Sequence, residues 1–119
     1  MKKVLICEDE KGVQEFLQNI LKKKACEVFT AEDGQEAIDK AKEIKPDLIL
    51  LDIRMPKLNG LEAAKKIRSF NKTSKLIFLT GFESPELSKE AQQYDILNYI
   101  VKSSPTQEVL KLIDKALES

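Results

Sequence analysis

The chain has 119 residues, which suits a single domain. Its 20 basic and 20 acidic residues cancel, so net charge gives no reason to expect nucleic acid or an anionic membrane surface as a partner. Histidine is absent, which excludes histidine-based catalysis, histidine metal ligands and a role as a phosphohistidine donor.

The first half of the chain switches between strand and helix periods. Residues 3–7 predict a buried strand, and residues 27–31 predict a strand of mixed polarity that suits a sheet edge. Between them, residues 11–24 predict a helix with these inward residues at helical spacing: Val13, Phe16, Leu17, Ile20 and Leu21. Asp33, with Glu36 three residues later, forms a capping box that starts a second helix.

The second half continues the alternation. Residues 47–52 and 75–80 predict two strands that are apolar on both faces, which is typical of a sheet covered on both sides. Gly60 leads into the helix between them, and residues 98–101 predict a fifth strand. The pairs Ser84-Pro85 and Ser104-Pro105 predict the starts of a fourth and a fifth helix, with serine as the cap and proline in the first turn. The fifth helix turns these residues inward: Val109, Leu110, Ile113 and Leu117.

Five strand–helix units with short connections predict parallel strands joined by right-handed helical crossovers. The fold class is therefore α/β, a three-layer sandwich formed by one domain over residues 1–119. No apolar run is long enough to cross a bilayer and no signal peptide follows Met1, so we expect a cytoplasmic protein. Cys7 and Cys26 lack CxxC spacing and are expected to be free thiols.

In such sheets ligands bind beyond the carboxyl ends of the strands. Polar residues lie at the ends of four of the predicted strands: Glu8 and Asp9, Asp52, Thr80, and Lys102. Taken singly, each has an ordinary explanation as a helix cap, a turn residue, a buried hydroxyl or a surface lysine. Because the fold brings all of them to one edge, we predict a functional site.

The chemistry of these groups is complementary. Three carboxylates within about 4–5 Å repel one another by roughly 3–4 kcal/mol per pair at an effective dielectric constant of 20, and Lys102 offsets only part of that. A hard cation such as Mg²⁺, or Mn²⁺ in its place, prefers oxygen ligands of this kind. Asp52 is a candidate nucleophile because a carboxylate can form an aspartyl phosphate. Lys102 and Thr80 suit the stabilisation of charge on a transferring phosphoryl group.

Four segments in this order, VLICEDE, LILLDIRMPKLNG, FLTGF and YIVKS, resemble the receiver domain of bacterial two-component response regulators. The resemblance covers essentially the whole chain. It implies a flavodoxin-like, doubly wound five-stranded parallel sheet with the strand order 2-1-3-4-5. It also implies a signalling protein whose only catalysis is its own magnesium-dependent phosphorylation and dephosphorylation.

The resemblance assigns roles around the metal and the phosphoryl group. Asp52 matches the phosphoacceptor, which takes its phosphoryl group from a histidine kinase or a histidine phosphotransfer protein. Asp9 matches the direct metal ligand, and Glu8 matches a ligand that acts through water. The backbone carbonyl of Arg54 matches the remaining protein ligand.

The resemblance also implies a switch. Thr80 and Lys102 match the pair that contacts the phosphoryl group, and Tyr99 matches an aromatic residue that follows the threonine. Phosphorylation would then change the surface of the fourth helix, fifth strand and fifth helix, which binds a downstream protein or a second copy of the chain. Nucleic acid and membrane are not expected partners of this domain.

The sequence departs from the family pattern at four places. Proline usually follows the lysine through a cis bond, but here Ser103 and Ser104 precede Pro105, so this bond could be trans. Gly81 replaces a more usual alanine and Glu8 replaces a more usual aspartate. Asp95 stands where a glycine usually ends the fourth helix, and aspartate tolerates the left-handed conformation better than most residues.

Three other functions remain open. A hydrolase of the haloacid dehalogenase type also uses a strand-end aspartate, but it needs a second aspartate where this chain has Arg54. A flavodoxin-like cofactor binder needs a phosphate-binding loop, whereas EDEKG is acidic. A receiver-shaped scaffold that is never phosphorylated is the third. A stand-alone receiver, a relay intermediate and the front of a larger regulator are all open alternatives for this chain.

Overall fold

A computed structural model describes residues 1–81, 89 and 92–118 of the protein. The strands are β1 (Lys3–Cys7), β2 (Glu27–Ala31), β3 (Leu48–Asp52), β4 (Lys75–Thr80) and β5 (Asn98–Val101). The helices with complete bounds are α1 (Lys11–Lys23), α2 (Gly34–Ile44), α3 (Gly60–Phe70) and a C-terminal helix, here α4 (Thr106–Leu117). The predicted start of another helix at Ser84-Pro85 lies outside the described residues.

The five strands form one parallel sheet in the order β2-β1-β3-β4-β5. The predicted doubly wound sheet and its 2-1-3-4-5 order are therefore confirmed, and the mixed-polarity strand β2 lies at an edge as expected. No helix in the described part of the chain is both long and apolar enough to cross a bilayer.

Two hydrophobic cores cover the faces of the sheet. Alternate residues of β3 point to opposite sides, so Ile49 and Leu51 pack with α2 and α3 while Leu48 and Leu50 pack with α1 and α4. Every residue of β3 is buried. Burying a side chain of this size contributes about 1.5–3 kcal/mol, so the strand that ends at Asp52 is firmly held.

A glycine closes the turn after β3. The Gly60 amide donates to the Ile53 carbonyl at 2.8 Å. A Cβ atom on Gly60 would lie 2.2 Å from the backbone oxygen of Asp52, far inside contact distance. The start of α3 therefore packs directly on the backbone that carries Asp52, and glycine is required there for space rather than for flexibility.

Two details of α1 differ from the sequence prediction. Phe16 was expected to face the core but is 40% exposed, whereas Gln14 is buried. The Gln14 Nε2 group donates to the Glu8 carbonyl at 2.9 Å, which satisfies a backbone oxygen beneath the turn between β1 and α1. A polar residue on the inner face thus serves the strand end, which hydrophobic periodicity alone does not predict.

The start of α4 also differs. Ser104 was predicted to cap this helix, but the helix begins at Thr106 and Pro105 occupies the cap position without a side-chain cap. The Ser104 amide instead donates to the Val101 carbonyl at 2.9 Å and closes a turn after β5. Of the predicted inward residues of α4, Val109 and Ile113 are buried, while Leu110 and Leu117 are partly buried.

Three other expectations can be compared with the structure. Peptide bonds in the described residues are all trans, so the bond between Lys102 and Ser103 is trans. Asp95 has a φ angle of 56°, so the left-handed position expected there is confirmed. Cys7 and Cys26 are free thiols, also as expected.

Candidate functional site

The carboxyl edge of the sheet gathers the polar residues that the sequence singled out. Glu8 follows β1, Asp52 ends β3, Thr80 ends β4 and Lys102 follows β5. Because β1, β3, β4 and β5 are neighbours in that order, these residues line one continuous edge. The Lys102 amide donates to the Thr80 carbonyl at 2.7 Å, which extends the pairing of β4 and β5 up to the lysine.

The Lys102 ammonium group lies at the centre of the site. Its Nζ atom is 2.9 Å from Oδ2 of Asp52, from Oε1 of Glu8 and from Oε1 of Glu10. Burial by itself lowers the pKa of Lys102, but contacts with Glu8, Asp52 and Glu10 outweigh burial and raise it above its ordinary value. Lys102 therefore stays protonated across the physiological range and supplies one fixed positive charge.

Asp52 is held at both carboxylate oxygens. Oδ1 accepts a hydrogen bond from the Arg54 amide at 3.0 Å, and Oδ2 accepts one from Lys102 at 2.9 Å. The side chain is 3% exposed. A carboxylate oriented in this way at the end of a rigid strand is suited to nucleophilic attack on a group that enters from the open edge.

Glu8 is fully buried beside Asp52. Its Oε2 accepts a hydrogen bond from the Glu10 amide at 3.1 Å. Oε1 lies at ion-pair distance from Lys102 but has no hydrogen-bond partner among the residues that the structure describes. Burial is the main cause that raises the pKa of Glu8 to about 7, and the neighbouring Asp52 acts in the same direction. The contact with Lys102 opposes this shift without cancelling it.

The raised pKa of Glu8 predicts how the stability of the metal-free protein depends on pH. Between pH 4.5 and about 7 the folded state binds more protons at Glu8 than the unfolded state. The free energy of unfolding therefore falls as pH rises through this window, by up to about 1.4 kcal/mol per pH unit from this group, and the stabilisation is fully present below the window.

Glu8→Gln should remove this contribution because glutamine does not titrate. Urea unfolding in EDTA at a series of pH values measures it as the difference between the slopes of wild type and variant. Glu15→Gln, an exposed acid of α1, is the matched control and should keep the wild-type slope. Equal slopes for wild type and Glu8→Gln would contradict the prediction.

The carboxylates at this edge suit a hard cation. Oxygen atoms of Glu8, Glu10 and Asp52 lie within 4.8 Å of one another. Carboxylate oxygens are the ligands that Mg²⁺ and Mn²⁺ prefer. The buried Oε1 of Glu8 has no hydrogen-bond partner among the described residues, and a cation or its bound water would give it one contact. The two buried carboxylates, those of Glu8 and Asp52, therefore fit a divalent metal.

The composition of this cluster differs from the predicted metal ligands. Asp9 is exposed and is absent from the group, while Glu10, which was not among the predicted ligands, belongs to it. Glu10 occupies the cap position of α1, yet its side chain caps no amide. In the sequence, Glu10 is marked by its place as the third acid of the run EDE. An acidic run of this kind is also typical of an ordinary helix start.

Thr80 and Tyr99 lie on neighbouring strands. In the register of β4 and β5, Thr80 pairs with Val101 and Tyr99 pairs with Phe78, so the two side chains are on the same face of the sheet. Thr80 is 7% exposed, and Tyr99 is partly buried against the core beneath α2 and α3. A continuous face therefore runs from the candidate site to Tyr99.

Comparison with known proteins identifies the family. Residues 4–114 match the model of the response regulator receiver domain. The chain belongs to the receiver domain family. Receiver domains are signalling modules of two-component systems, and the predicted membership is confirmed.

The similar receivers include short and long proteins. Chemotaxis protein CheY of Thermotoga maritima is 33% identical over 115 residues, which cover 96% of either chain. Transcriptional regulatory protein LnrK of Bacillus subtilis is 36% identical over 115 residues, which cover 95% of this chain and 52% of LnrK. The chain thus spans about half the length of that relative. The structure of Vibrio cholerae chemotaxis protein CheY4 has a TM-score of 0.89 and 32% identity, covering 98% of this chain and 99% of CheY4.

Proposed function

We propose that this receiver domain, taken as residues 1–119, is a phosphorylatable switch that accepts a phosphoryl group on Asp52. The donor is a histidine kinase or a histidine phosphotransfer protein. The observation that carries the proposal is the contact of 2.9 Å between the Lys102 ammonium and the buried carboxylate of Asp52. A positive charge fixed beside a strand-end carboxylate is what a receiver needs to accept a dianionic group.

Phosphoryl transfer would proceed by attack of an Asp52 oxygen on phosphorus. A new oxygen–phosphorus bond forms as the phosphorus–nitrogen bond of phosphohistidine breaks, and the departing imidazole nitrogen keeps the electron pair. The Arg54 amide and Lys102 hold the two oxygens of the attacking carboxylate. Lys102 and the Thr80 hydroxyl are then the groups of this chain that stabilise the oxygens of the bound phosphoryl group.

The proposed metal is magnesium, or manganese in its place. Asp9, Asp52 and the carbonyl of Arg54 would hold it directly, and Glu8 would hold it through water. When bound, the metal supplies positive charge to the oxygens of the transferring group. Glu8 remains buried and anchors the turn between β1 and α1 through the amide of Glu10.

Acetyl phosphate tests the function directly. Incubation of the protein with acetyl phosphate and magnesium should add one phosphoryl group, seen as a mass increase of the intact protein. The group should be lost on treatment with hydroxylamine, which cleaves acyl phosphates, and EDTA should prevent its addition. A folded protein that gains no mass would favour the unphosphorylated scaffold instead.

The proposed role is that of a switch and not of an enzyme that acts on other molecules. Apart from its own phosphorylation and dephosphorylation, the domain catalyses no reaction. It acts in the cytoplasm, where it receives its phosphoryl group and passes the signal to a downstream protein or to a second copy of the chain.

The output surface is proposed to respond through Thr80 and Tyr99. Phosphorylation adds roughly two negative charges with acceptor oxygens beside Asp52, toward which the Thr80 hydroxyl can donate. Movement of that hydroxyl leaves space on the face it shares with Tyr99, and the aromatic ring can fill it. The surface formed by the fourth predicted helix, β5 and α4 would change as a result.

Thr80→Ala should uncouple this response. With magnesium and beryllium fluoride as a phosphoryl mimic, the wild type should show backbone NMR shifts along β5 that exceed those along β2. The variant should still bind the mimic but lose more than roughly half of the shift along β5, because the hydroxyl that couples the two sites is gone. Thr73→Ala, in the loop before β4, is the control and should behave as wild type. Undiminished shifts along β5 in Thr80→Ala would rule out this route.

A further inference from the structure

Glu10 has a contact that its place in the chain does not require. It sits at the cap position of α1, but its side chain accepts no hydrogen bond from the amides of the first turn. Its carboxylate instead crosses from the β1 side of the edge to Lys102 beyond β5, where Oε1 accepts a hydrogen bond from Nζ at 2.9 Å. The side chain thus contacts the lysine and does not cap the helix.

The ammonium group of Lys102 donates two hydrogen bonds, to Oε1 of Glu10 and to Oδ2 of Asp52, each at 2.9 Å. An ammonium group has three N–H donors. The third carboxylate oxygen beside Nζ, Oε1 of Glu8, lies at an ion-pair distance of 2.9 Å without a hydrogen bond among the described residues. A phosphoryl oxygen on Asp52 therefore competes for the ammonium group with the carboxylates that already surround it.

The three partners differ in how readily they can leave. The side chains of Glu8 and Asp52 are 0% and 3% exposed, whereas that of Glu10 is 63% exposed. Water competes with an exposed ion pair, which therefore contributes little net stability, while buried pairs are screened much less. Glu10 is thus the partner that exchanges at least cost.

We propose that Glu10 is a positioning residue that holds Lys102 in the unphosphorylated state and releases it to the phosphoryl group on Asp52. The inference rests on the proposed function of Asp52 and adds a residue to it. Glu10 touches neither phosphorus nor the attacking oxygen, and it acts through the lysine. In the resting protein its carboxylate occupies the position at Nζ that a phosphoryl oxygen takes after transfer.

The rate of labelling by acetyl phosphate with magnesium measures this effect. An Asp52 oxygen bonds to phosphorus, the bond from phosphorus to the acetyl oxygen breaks, and acetate leaves with the electron pair. Glu10→Gln keeps the size of the side chain but loses the charge that binds Lys102. We expect labelling about 2- to 5-fold faster than in the wild type, the range set by an exposed ion pair. Glu15→Gln, an exposed acid of the same helix, should label at the wild-type rate.

A double-mutant cycle separates the lysine contact from simple repulsion of the anionic donor. If Glu10 acts through Lys102, Glu10→Gln should have no effect in a Lys102→Met background. The same acceleration in that background would overturn the positioning role, because repulsion alone would then explain it. Magnesium affinity, measured by calorimetry, should be unchanged in Glu10→Gln.

Three other outcomes would contradict the role proposed for Glu10. Equal rates for wild type and Glu10→Gln would overturn the inference while leaving Asp52 as the phosphoacceptor. Slower labelling with weaker magnesium binding would overturn it as well, since Glu10 would then be a metal ligand. No labelling of the wild type would overturn both the inference and the proposed function.

Discussion

Asp52→Asn is expected to abolish phosphorylation of the protein by acetyl phosphate and magnesium. An amide oxygen carries no formal negative charge and is a far weaker nucleophile than a carboxylate. The substitution keeps the shape of the side chain, so its oxygen can still accept the hydrogen bond from the Arg54 amide. The loss should therefore be one of chemistry and not of folding.

Borohydride trapping locates the modified residue. Reduction of the acyl phosphate and peptide mapping should place the wild-type label on Asp52 alone. Asp39→Asn, which removes an exposed carboxylate of α2, is the matched control and should be labelled to the wild-type extent. Labelling of Asp52→Asn equal to wild type would show that another residue is the acceptor.

Much of the fold was predictable because the hydrophobic pattern of the strands matches their places in the sheet. The strand β3 is apolar at every position before Asp52, and only a strand with helices on both sides buries such a run. The mixed polarity of β2 likewise matched its place at the sheet edge. The exceptions arose where a polar group serves the backbone, as Gln14 does beneath Glu8.

The candidate site was predictable in part. Asp52 and Lys102 stand at strand ends, and parallel strands bring their carboxyl ends together whatever the details of the loops. Glu10 was not predictable in this way, because an acid before a helix is usually a cap. Its contact with Lys102 spans 92 positions of the chain and depends on the order of the strands.

Arg68, which lies away from the site, is a second residue whose contacts could not be predicted from the sequence. From α3 it donates to the carbonyls of Tyr94 and Asp95, each at 2.9 Å, and to that of Ser74 at 2.8 Å. These bonds tie the end of α3 to the segments that precede β4 and β5. An arginine on a helix resembles any solvated residue in the sequence, and only the tertiary structure reveals the carbonyls that it satisfies.

The acidic turn after β1 leaves two candidates for the exposed metal ligand, Asp9 and Glu10. Glu10 is bonded to Lys102 and would have to give up that contact to bind a cation. Asp9 is exposed and makes no hydrogen bond or ion pair within the part of the chain that the structure describes. Coordination by Asp9 therefore disrupts no existing contact, and its short side chain has fewer rotamers to lose than that of Glu10.

Asp9→Ala is accordingly expected to weaken magnesium binding by at least about 10-fold, because loss of even an outer-shell partner typically costs 10- to 100-fold in affinity. Glu8→Gln should weaken binding less, since Glu8 is proposed to act through water, and Glu10→Gln should leave the affinity near that of the wild type. Calorimetric titration with magnesium chloride at constant ionic strength measures all three variants against the wild type. Unchanged affinity in Asp9→Ala together with a loss in Glu10→Gln would transfer the ligand role to Glu10, the carboxylate that already lies beside Glu8 and Asp52.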